Sequence, residues 1–382
     1  MSDCSGVSAK SICISSDLAA MMRSGPAHVN AALTVPFDVY RICSNIRTPK
    51  DTEREEFMGT GGSLPLLRRS ALAAPALLLL PRGARADWPD RPVRLVVAFP
   101  AGSLTDVLAR VIAEPLGQEL GQPVIVDNRA GGNGIIGTQA VAQAAPDGNT
   151  LVVISTSAAS VNPHTLKRMP FDPVKDFVHI GALAEAPYLF VVPPGASDRD
   201  LKGFLDRARE NANGLTYSYG NASSQIMTEV LARAAGVRLT GVPYRGGSEA
   251  LTDVSAGRID CTFTDFANGL TQAQAGRVRA IAQSAKDPTP LAPEVPPVAS
   301  AVPGYDISVW FGISAPLATP APIVARVNQA LNAALRQPAT VARLRQLGFL
   351  PFTQTPGQFA QYLRDQLVSW GERVRIAGIE PQ

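Results

Sequence analysis

The stretch from Val93 to Asp106 constrains the fold more than any other part of the chain. Residues 93–99 are almost entirely apolar, as a parallel strand covered on both faces must be. A proline and a glycine then end the strand, and apolar residues recur at helical spacing from Leu104. Ser103 is placed as the N-cap, and Asp106 three residues later is placed to complete a capping box. Such a helix start suits an anion, although an ordinary strand–helix turn has the same pattern.

The sequence before residue 87 has the features of a leader. A positively charged stretch and an apolar segment, residues 70–81, precede Ala84-Arg85-Ala86, which fits the small-x-small cleavage rule. The apolar segment is too short to span a bilayer as a helix. We therefore expect residues 64–86 to be a signal peptide cleaved after Ala86, and residues 1–63 to be a mis-assigned start or a disordered extension. An arginine pair leaves the twin-arginine route open beside the general secretory route.

Removing the leader changes what the composition implies. The chain has 35 Lys and Arg and 32 Asp and Glu; 10 and 7 of these precede residue 87, which leaves 25 of each. A neutral chain gives no reason to expect a nucleic-acid or anionic-membrane partner. Three of the four cysteines also lie in the leader, so Cys261 can form no internal disulfide and no cysteine metal cluster. The length from residue 87 onward suits two domains of about 100–150 residues each.

Strands and helices alternate through the rest of the chain, which calls for largely parallel sheets flanked by helices. Polar loops bearing Gly or Ser precede helices at residues 100–106, 131–137, 155–157, 220–225 and 245–248. These are candidate binding loops, because ligands of open α/β sheets bind at the carboxyl ends of strands. No acid–base pair, triad or metal set accompanies them, and the two histidines after the leader, His164 and His179, are isolated. We therefore expect a binding protein without a cofactor or metal, and not an enzyme.

One glycine pattern favours a different class of protein. Gly132-x-Gly134-x-x-Gly137 follows a strand and precedes a helix, as in a dinucleotide-binding fingerprint. That fingerprint also needs an acidic residue about 20 positions later, and none stands between Asp147 and Asp172. A dinucleotide-dependent enzyme therefore remains an alternative that lacks one part of its signature.

Several short motifs follow one another along the chain in a specific order. They are Phe99-Pro100-Ala101-Gly102 with Thr105-Asp106, Asn128-Arg129 with Gly131-Gly132 and Gly134, Ala145-Pro146-Asp147-Gly148, Pro170-Phe171-Asp172-Pro173 with Lys175-Asp176-Phe177, Val242-Pro243-Tyr244-Arg245-Gly246, and Trp310-Phe311-Gly312. Each motif alone is weak evidence. The ordered set resembles the Bug family, the periplasmic solute receptors of tripartite tricarboxylate transporters, over essentially all of residues 87–382.

The resemblance implies a two-lobed α/β periplasmic binding protein of the Venus-flytrap, type II-like class. Each lobe would hold a mixed, mostly parallel sheet flanked by helices, with residues 87–187 and 310–382 in lobe 1 and residues 188–309 in lobe 2. Such a monomeric receptor would capture a di- or tricarboxylate, an amino acid or an aromatic acid and deliver it to membrane transporter subunits. A periplasmic sensor that signals the bound state is an alternative with the same fold.

The resemblance also implies which residues bind the ligand. In lobe 1 they are Phe99, Ala101, Gly102, Thr105, Asp106, Ser155 and Thr156, and in lobe 2 they are Asn221, Ser223, Ser224, Tyr244, Arg245, Gly246 and Asp265. Ser223 or Ser224 would cap the helix that follows. The chain departs from the family where Ser103 and Leu104 replace part of a glycine run and where Ala222 replaces a glycine. These departures leave the identity of the carboxylate open.

Overall fold

The computed structural model describes residues 88–382, so the predicted signal peptide and the sequence before it lie outside the described residues. The strands are β1 (Val93–Val97), β2 (Val124–Asn128), β3 (Thr150–Ser155), β4 (Phe177–Ala186), β5 (Tyr188–Val192), β6 (Leu215–Tyr219), β7 (Leu239–Pro243), β8 (Cys261–Asp265), β9 (Arg279–Gln283), β10 (Val309–Pro316) and β11 (Leu350–Pro351). The helices are α1 (Leu104–Leu120), α2 (Ile135–Ala142), α3 (Asn162–Thr165), α4 (Leu201–Glu210), α5 (Ala222–Ala235), α6 (Gly247–Ser255), α7 (Phe266–Gln274), α8 (Ala321–Ala334), α9 (Pro338–Gln346) and α10 (Pro356–Ala377).

These strands form two separate sheets, each the centre of one lobe. The first sheet has the order β11-β4-β10-β3-β1-β2 and the second the order β7-β6-β8-β5-β9. Parallel pairing joins β1 to β2 and β3, and β6 to β7 and β8; the remaining pairs are antiparallel. The predicted α/β class with mixed sheets is confirmed, and antiparallel pairing is more extensive than the alternation of elements suggested. Four of the five antiparallel pairs involve β5 or β10, where the chain changes sheets, and the fifth joins the short β11 to β4.

The chain passes between the sheets twice. It leaves the first sheet at the end of β4 and enters the second at Tyr188, with only Pro187 between the two strands. It returns through residues 284–308 to Val309, the first residue of β10. A backbone hydrogen bond joins the chain beside the two passages, since the Ser284 N–H donates over 2.8 Å to the carbonyl of Tyr188, the residue after Pro187. Two adjacent connections of this kind are the usual anatomy of a hinge between lobes.

Side chains are buried on both faces of β1, as its nearly unbroken apolar sequence predicts. Leu95 packs into the cluster that contains Leu108 of α1 and Leu331 of α8, whereas Val96 packs into the cluster of Val141 of α2 and Phe359 of α10. Helices therefore cover the first sheet on both sides. Within residues 88–382, no helix combines the length and apolar character needed to cross a membrane.

The glycines of the incomplete dinucleotide fingerprint have conformational and packing uses. Gly132 and Gly134 have φ of 56° and 91°, a region that favours glycine, in the turn before α2. A Cβ at Gly137 would lie 2.7 Å from both the Ala98 Cα and the Arg129 carbonyl oxygen, so glycine lets α2 approach the end of β1 closely. The pattern thus fits the local packing of α2 without a nucleotide.

Candidate ligand-binding site

A cavity lies between the two lobes, at loops that follow strands of both sheets. Residues from both lobes line it: Phe99, Pro100, Ser103, Leu104, Thr105, Ser155, Thr156, Ser157, Tyr188, Gly220, Asn221, Ser223, Ser224, Gly246, Gly247, Ser248, Phe263, Thr264, Asp265, Val309 and Phe311. Hydroxyl groups and the first residues of helices predominate, and aromatic rings complete the wall. The arrangement is that of a small-molecule site with many hydrogen-bonding groups and a few apolar surfaces.

The first turn of α1 reaches the cavity through Ser103, Leu104 and Thr105. Ser103 is the N-cap, as predicted, and its hydroxyl accepts a hydrogen bond from the Asp106 N–H over 3.3 Å. The predicted capping box is wrong in its second half. The Asp106 carboxylate accepts from the Gly102 N–H over 2.8 Å, one residue earlier than a capping box requires.

The Asp106 carboxylate stabilises this loop through hydrogen bonds and does not line the cavity. Its side chain is buried and also accepts hydrogen bonds from Asn128 Nδ2 over 2.9 Å and Arg110 Nε over 3.0 Å. Burial disfavours the charged carboxylate, but the bonds from Arg110, Gly102 and Asn128 outweigh burial and lower the pKa of Asp106 below its usual value.

This lowered pKa predicts a specific acid sensitivity. A carboxylate with a lower pKa in the folded state stabilises that state above its unfolded pKa of about 3.9, and the stabilisation is lost as the pH falls through the folded value. We expect the free energy of unfolding to fall less between about pH 6 and pH 3 in Asp106→Asn than in the parent protein. Urea denaturation at both pH values measures this difference, and equal losses in the two proteins would contradict the assignment.

A direct hydrogen bond joins the two lobes inside the cavity. Ser157, after β3 in lobe 1, has its Oγ 2.8 Å from the Oγ of Ser223 in lobe 2. The Ser223 N–H also donates to the Ser157 Oγ over 3.3 Å. Beside this contact, the Thr156 hydroxyl accepts from the Trp310 N–H over 2.6 Å and donates to the Trp310 carbonyl over 3.1 Å. The end of β3 is therefore fixed to β10 and to the opposite lobe.

The first turn of α5 is capped by Asn221, which corrects the expectation that Ser223 or Ser224 would be the cap. The Asn221 Oδ1 accepts from the Ser224 N–H over 2.9 Å, and the Ser224 hydroxyl donates back to the Asn221 carbonyl over 3.0 Å. Asparagine is among the strongest N-cap residues, and its extended backbone here, φ −160°, is the usual N-cap conformation. Both serines instead lie within the first turn of the helix.

The first turn of α6 differs because no side chain caps it. Gly246 is the N-cap residue and carries no side-chain oxygen, so it cannot accept from the first-turn N–H groups. Gly246, Gly247 and Ser248 line the cavity. Tyr244 and Arg245, just before them, lie instead on a neighbouring recess that faces the glycine turn of residues 131–134.

The ionisable groups of the cavity wall are few. Among the described residues that line it there is no lysine, arginine or histidine, and the carboxyl group of Asp265 is the one acid. Burial raises the pKa of Asp265, although its oxygens accept from the backbone N–H and the side-chain amide of Asn268, each over 2.9 Å. Burial and then the nearby Asp265 charge raise the pKa of Tyr188, which is therefore neutral at physiological pH.

The structure brings together most, but not all, of the residues predicted to bind the ligand. Nine of them line the cavity: Phe99, Thr105, Ser155, Thr156, Asn221, Ser223, Ser224, Gly246 and Asp265. Five do not: Ala101, Gly102, Asp106, Tyr244 and Arg245. Twelve lining residues were not among those predicted: Pro100, Ser103, Leu104, Ser157, Tyr188, Gly220, Gly247, Ser248, Phe263, Thr264, Val309 and Phe311. Seven of the twelve carried a usable signal, because they belong to polar loops already singled out: Pro100, Ser103, Leu104, Ser157, Gly220, Gly247 and Ser248.

The histidines and the cysteine take no part in this site. His164 contacts the Leu367 carbonyl over 2.9 Å, and His179 is buried against the Ser314 hydroxyl at 2.9 Å. Cys261 is a buried free thiol at the start of β8, away from the cavity. Residues 88–382 contain no group of three or more His, Cys, Asp or Glu side chains suited to a metal ion.

Comparisons with known proteins agree with this arrangement. The model of a family described as "Tripartite tricarboxylate transporter family receptor" matches residues 108–379. A UPF0065 protein of Pseudomonas sp. strain P51 is 36% identical, over 79% of this chain and 92% of its own length. Protein BugT of Bordetella pertussis is 31% identical, over 76% of this chain and 90% of its own length.

Solved structures give the same result. The periplasmic binding protein BugD has a TM-score of 0.73 and 29% identity, over 77% of this chain and all of its own. Rpa4515 of R. palustris, solved with adipate, has a TM-score of 0.75 and 31% identity, over 78% of this chain and 100% of its own. MatC from Rhodopseudomonas palustris, with bound malate, has a TM-score of 0.71 and 31% identity, over 75% of this chain and 100% of its own. The matching family is one of transporter receptors and BugD is a periplasmic binding protein, which confirms the prediction that the chain is not an enzyme.

Proposed function

This chain belongs to the tripartite tricarboxylate transporter receptor family, and on that premise we propose that it captures a small organic carboxylate in the periplasm and delivers it to a membrane transporter. Its homologues include the periplasmic binding protein BugD, and also Rpa4515 and MatC, which were solved with adipate and with malate. The predicted signal peptide, with cleavage after Ala86, would provide the export that this role requires. The proposed ligand class is wide, and covers di- and tricarboxylates, amino acids and aromatic acids.

The observation that carries the proposal is the chemistry of the cavity wall. First turns of α1, α5 and α6 reach the cavity, while its described lining residues include no cationic side chain. Helix starts present backbone N–H groups and the positive end of the helix dipole, and these stabilise an anion without a lysine or arginine. A carboxylate is the small organic anion that such oriented amides and hydroxyls suit.

The two passages of the chain between the sheets support a mechanism in which the two lobes close on the ligand. We propose that lobe 1, residues 87–187 and 310–382, and lobe 2, residues 188–309, move about the passages at Pro187 and Val309. The Ser157–Ser223 contact of 2.8 Å lies deep in the cavity and requires the lobes to be close together. Ligand exchange therefore requires this contact to break, and bound ligand would favour its formation.

The test is a thermal-shift screen of the purified protein against malate, adipate, citrate, glutamate and benzoate, with NADH as a control of another class. A compound that binds only the folded state raises the melting temperature, by an amount that grows with its concentration relative to Kd. We expect at least one acid to raise the melting temperature in proportion to the logarithm of its concentration, and NADH to have no effect. A shift with NADH alone, or with none of the five acids, would overturn the proposal.

A further inference from the structure

One buried carboxylate in the ligand cavity has no cationic partner. Asp265 is 6% exposed and lines the cavity, whose described lining residues include no lysine, arginine or histidine. It also forms no ion pair elsewhere in the described part of the chain. A charge that is buried without a counter-charge is costly, and such groups are normally paired. The described residues therefore supply no counter-charge for this carboxylate.

The hydrogen bonds of Asp265 are those of an ionised carboxylate. Its Oδ1 accepts from the Asn268 N–H and its Oδ2 from the Asn268 side-chain amide, each over 2.9 Å. A protonated carboxyl group would have to use one of these oxygens as a donor, whereas here both accept. Burial raises the pKa of Asp265, and a cation beside it would offset that effect. The two oxygens together have about four acceptor positions, so the carboxylate can accept further donors from the cavity.

A buried hydroxyl next to Asp265 supplies an independent observation. Thr264 is 3% exposed and lines the cavity, and its Oγ1 has no hydrogen-bond partner among the residues that the structure describes. The methyl branch of this side chain faces Gly269, since a Cβ there would lie 2.8 Å from the Thr264 Cγ2. A buried hydroxyl is rarely left unpaired, because it loses its hydration without gaining a partner. The Thr264 hydroxyl is therefore available to a ligand in the cavity.

A third oxygen lies on the neighbouring strand. Tyr188 pairs with Asp265 in the antiparallel ladder of β5 and β8, so the two side chains lie on the same face of the sheet, and both line the cavity. The Tyr188 phenol accepts one hydrogen bond, from Asn221 Nδ2 over 3.4 Å, and has a second acceptor position. Three oxygen-bearing side chains, one of them charged, therefore stand on residues that are neighbours in the sheet.

We propose that Asp265, with the hydroxyls of Thr264 and Tyr188, selects a ligand that carries an ammonium group in addition to its carboxylate. An ammonium has three N–H donors and no acceptor, which matches one carboxylate and two hydroxyl oxygens. A carboxylate at the same position would instead be repelled by the Asp265 charge. The ligand is therefore an amino acid. This inference rests on the proposed function, since it names the substrate class of the same cavity.

Three acids with one carbon skeleton isolate the contribution of the ammonium group. L-Aspartate, L-malate and succinate carry an ammonium, a hydroxyl and a hydrogen at the same carbon, and the pair L-glutamate and glutarate extends the test to a longer skeleton. Calorimetric titration of the parent protein gives a Kd for each acid. We expect the better-bound amino acid to bind about 10- to 100-fold more tightly than the acids of its skeleton that lack the amino group, the usual effect of a hydrogen bond to a charged group.

Asp265→Asn tests whether the Asp265 charge causes this preference. Asp265 is the N-cap of α7, and asparagine caps a helix as well as aspartate does. Asp200→Asn is the matched control, since Asp200 caps α4 of the same lobe and does not line the cavity. We expect Asp265→Asn to bind the amino acid about 10- to 100-fold more weakly than the parent and to lose the preference, while Asp200→Asn stays within about twofold of every parent Kd. Each variant should keep a cooperative melting transition without ligand, which separates lost binding from lost folding.

A second pair of variants tests the unpaired hydroxyl. Thr264→Val replaces it by a methyl group of the same shape, and Thr264→Ser keeps it. Without ligand, Thr264→Val should melt at or above the parent temperature, because removal of an unpaired buried hydroxyl costs no hydrogen bond. With ligand, we expect Thr264→Val to bind the amino acid about tenfold more weakly than Thr264→Ser, a loss that a purely structural role would not produce.

The outcomes separate this inference from the proposed function. Binding of malate, succinate or glutarate as tight as that of the matching amino acid would overturn the inference and leave the proposed function intact. An Asp265→Asn variant that keeps the preference of the parent would overturn it as well. If the parent binds none of these acids and none of the five screening acids, the proposed function itself fails.

Discussion

Gly220→Ala is expected to lose carboxylate binding almost completely while the chain still folds. Gly220 lies between β6 and α5 and lines the cavity. A Cβ at this position would lie 2.2 Å from the Gly246 carbonyl carbon and 2.2 Å from the Gly247 nitrogen. Real Cβ atoms do not approach backbone atoms so closely, so the segment that begins α6 must move. The first residues of α6, which line the cavity, then no longer hold their present positions.

The size of the effect follows from the number of donors displaced. Two hydrogen bonds to a charged group contribute about 3 kcal/mol or more together, which corresponds to a loss of affinity of at least about 100-fold. Overpacking of this kind also lowers the free energy of unfolding by about 1–3 kcal/mol, which leaves a domain of ordinary stability folded.

Gly195→Ala provides the control for this prediction. Gly195 belongs to the same lobe, and a Cβ there meets nothing within 4 Å. Calorimetric titration should give the parent affinity for Gly195→Ala and no measurable heat for Gly220→Ala at ligand concentrations that saturate the parent. Undiminished binding by Gly220→Ala would show that the start of α6 is not part of the binding site.

Local patterns in the sequence were sufficient to predict the strand and the helix on either side of the first binding loop. The apolar run of residues 93–99 and the serine before the apolar periodicity correctly predicted β1, α1 and the Ser103 N-cap, because each depends on neighbours within a few residues. The cap of α5 was harder to predict. Asn221, Ser223 and Ser224 can all cap a helix, and only the backbone conformation at Asn221 decides among them.

Two of the cavity residues that were not predicted lie opposite residues that were. Tyr188, the first residue of β5, pairs with Asp265, the last residue of β8, because these strands are antiparallel. In the same way Phe311 of β10 pairs with Ser155 at the end of β3. Strand direction is a tertiary property that alternation of elements does not reveal, and an antiparallel neighbour brings its middle or its beginning to the site instead of its end.

No local sequence pattern could predict the contacts between distant segments of the chain. Ser157 and Ser223 are 66 positions apart, and their contact depends on how two lobes meet. Residues 285–304 contain six prolines, a composition that predicts a surface loop. Instead, Ala292 and Val298 are fully buried, and the buried side chain of Gln283 donates to the Ala292 carbonyl over 3.2 Å. That amide holds the segment against lobe 2, which composition alone could not indicate.

Trp310→Ala is expected to cause the largest loss of stability of any substitution considered in this chain. Trp310 is fully buried in β10, and its ring packs edge-on against Phe359 and Tyr362 with centroids 5.9 and 5.8 Å away. Its indole N–H has no hydrogen-bond partner among the described residues, so the loss is one of packing. Truncation of a buried tryptophan to alanine costs about 3–5 kcal/mol, since apolar contact is lost and a cavity remains.

Denaturation by urea measures this loss, with Val368→Ala as the control. Val368 lies on α10, the helix that packs on Trp310, but it is 74% exposed and should cost less than about 0.5 kcal/mol. Trp310 alternates with Val309 and Phe311, which line the ligand cavity, so its own side chain points to the opposite face of the sheet. We therefore expect folded Trp310→Ala protein to bind the carboxylate within a few-fold of the parent affinity. A free energy of unfolding within about 1 kcal/mol of the Val368→Ala variant would contradict the packing role of this ring.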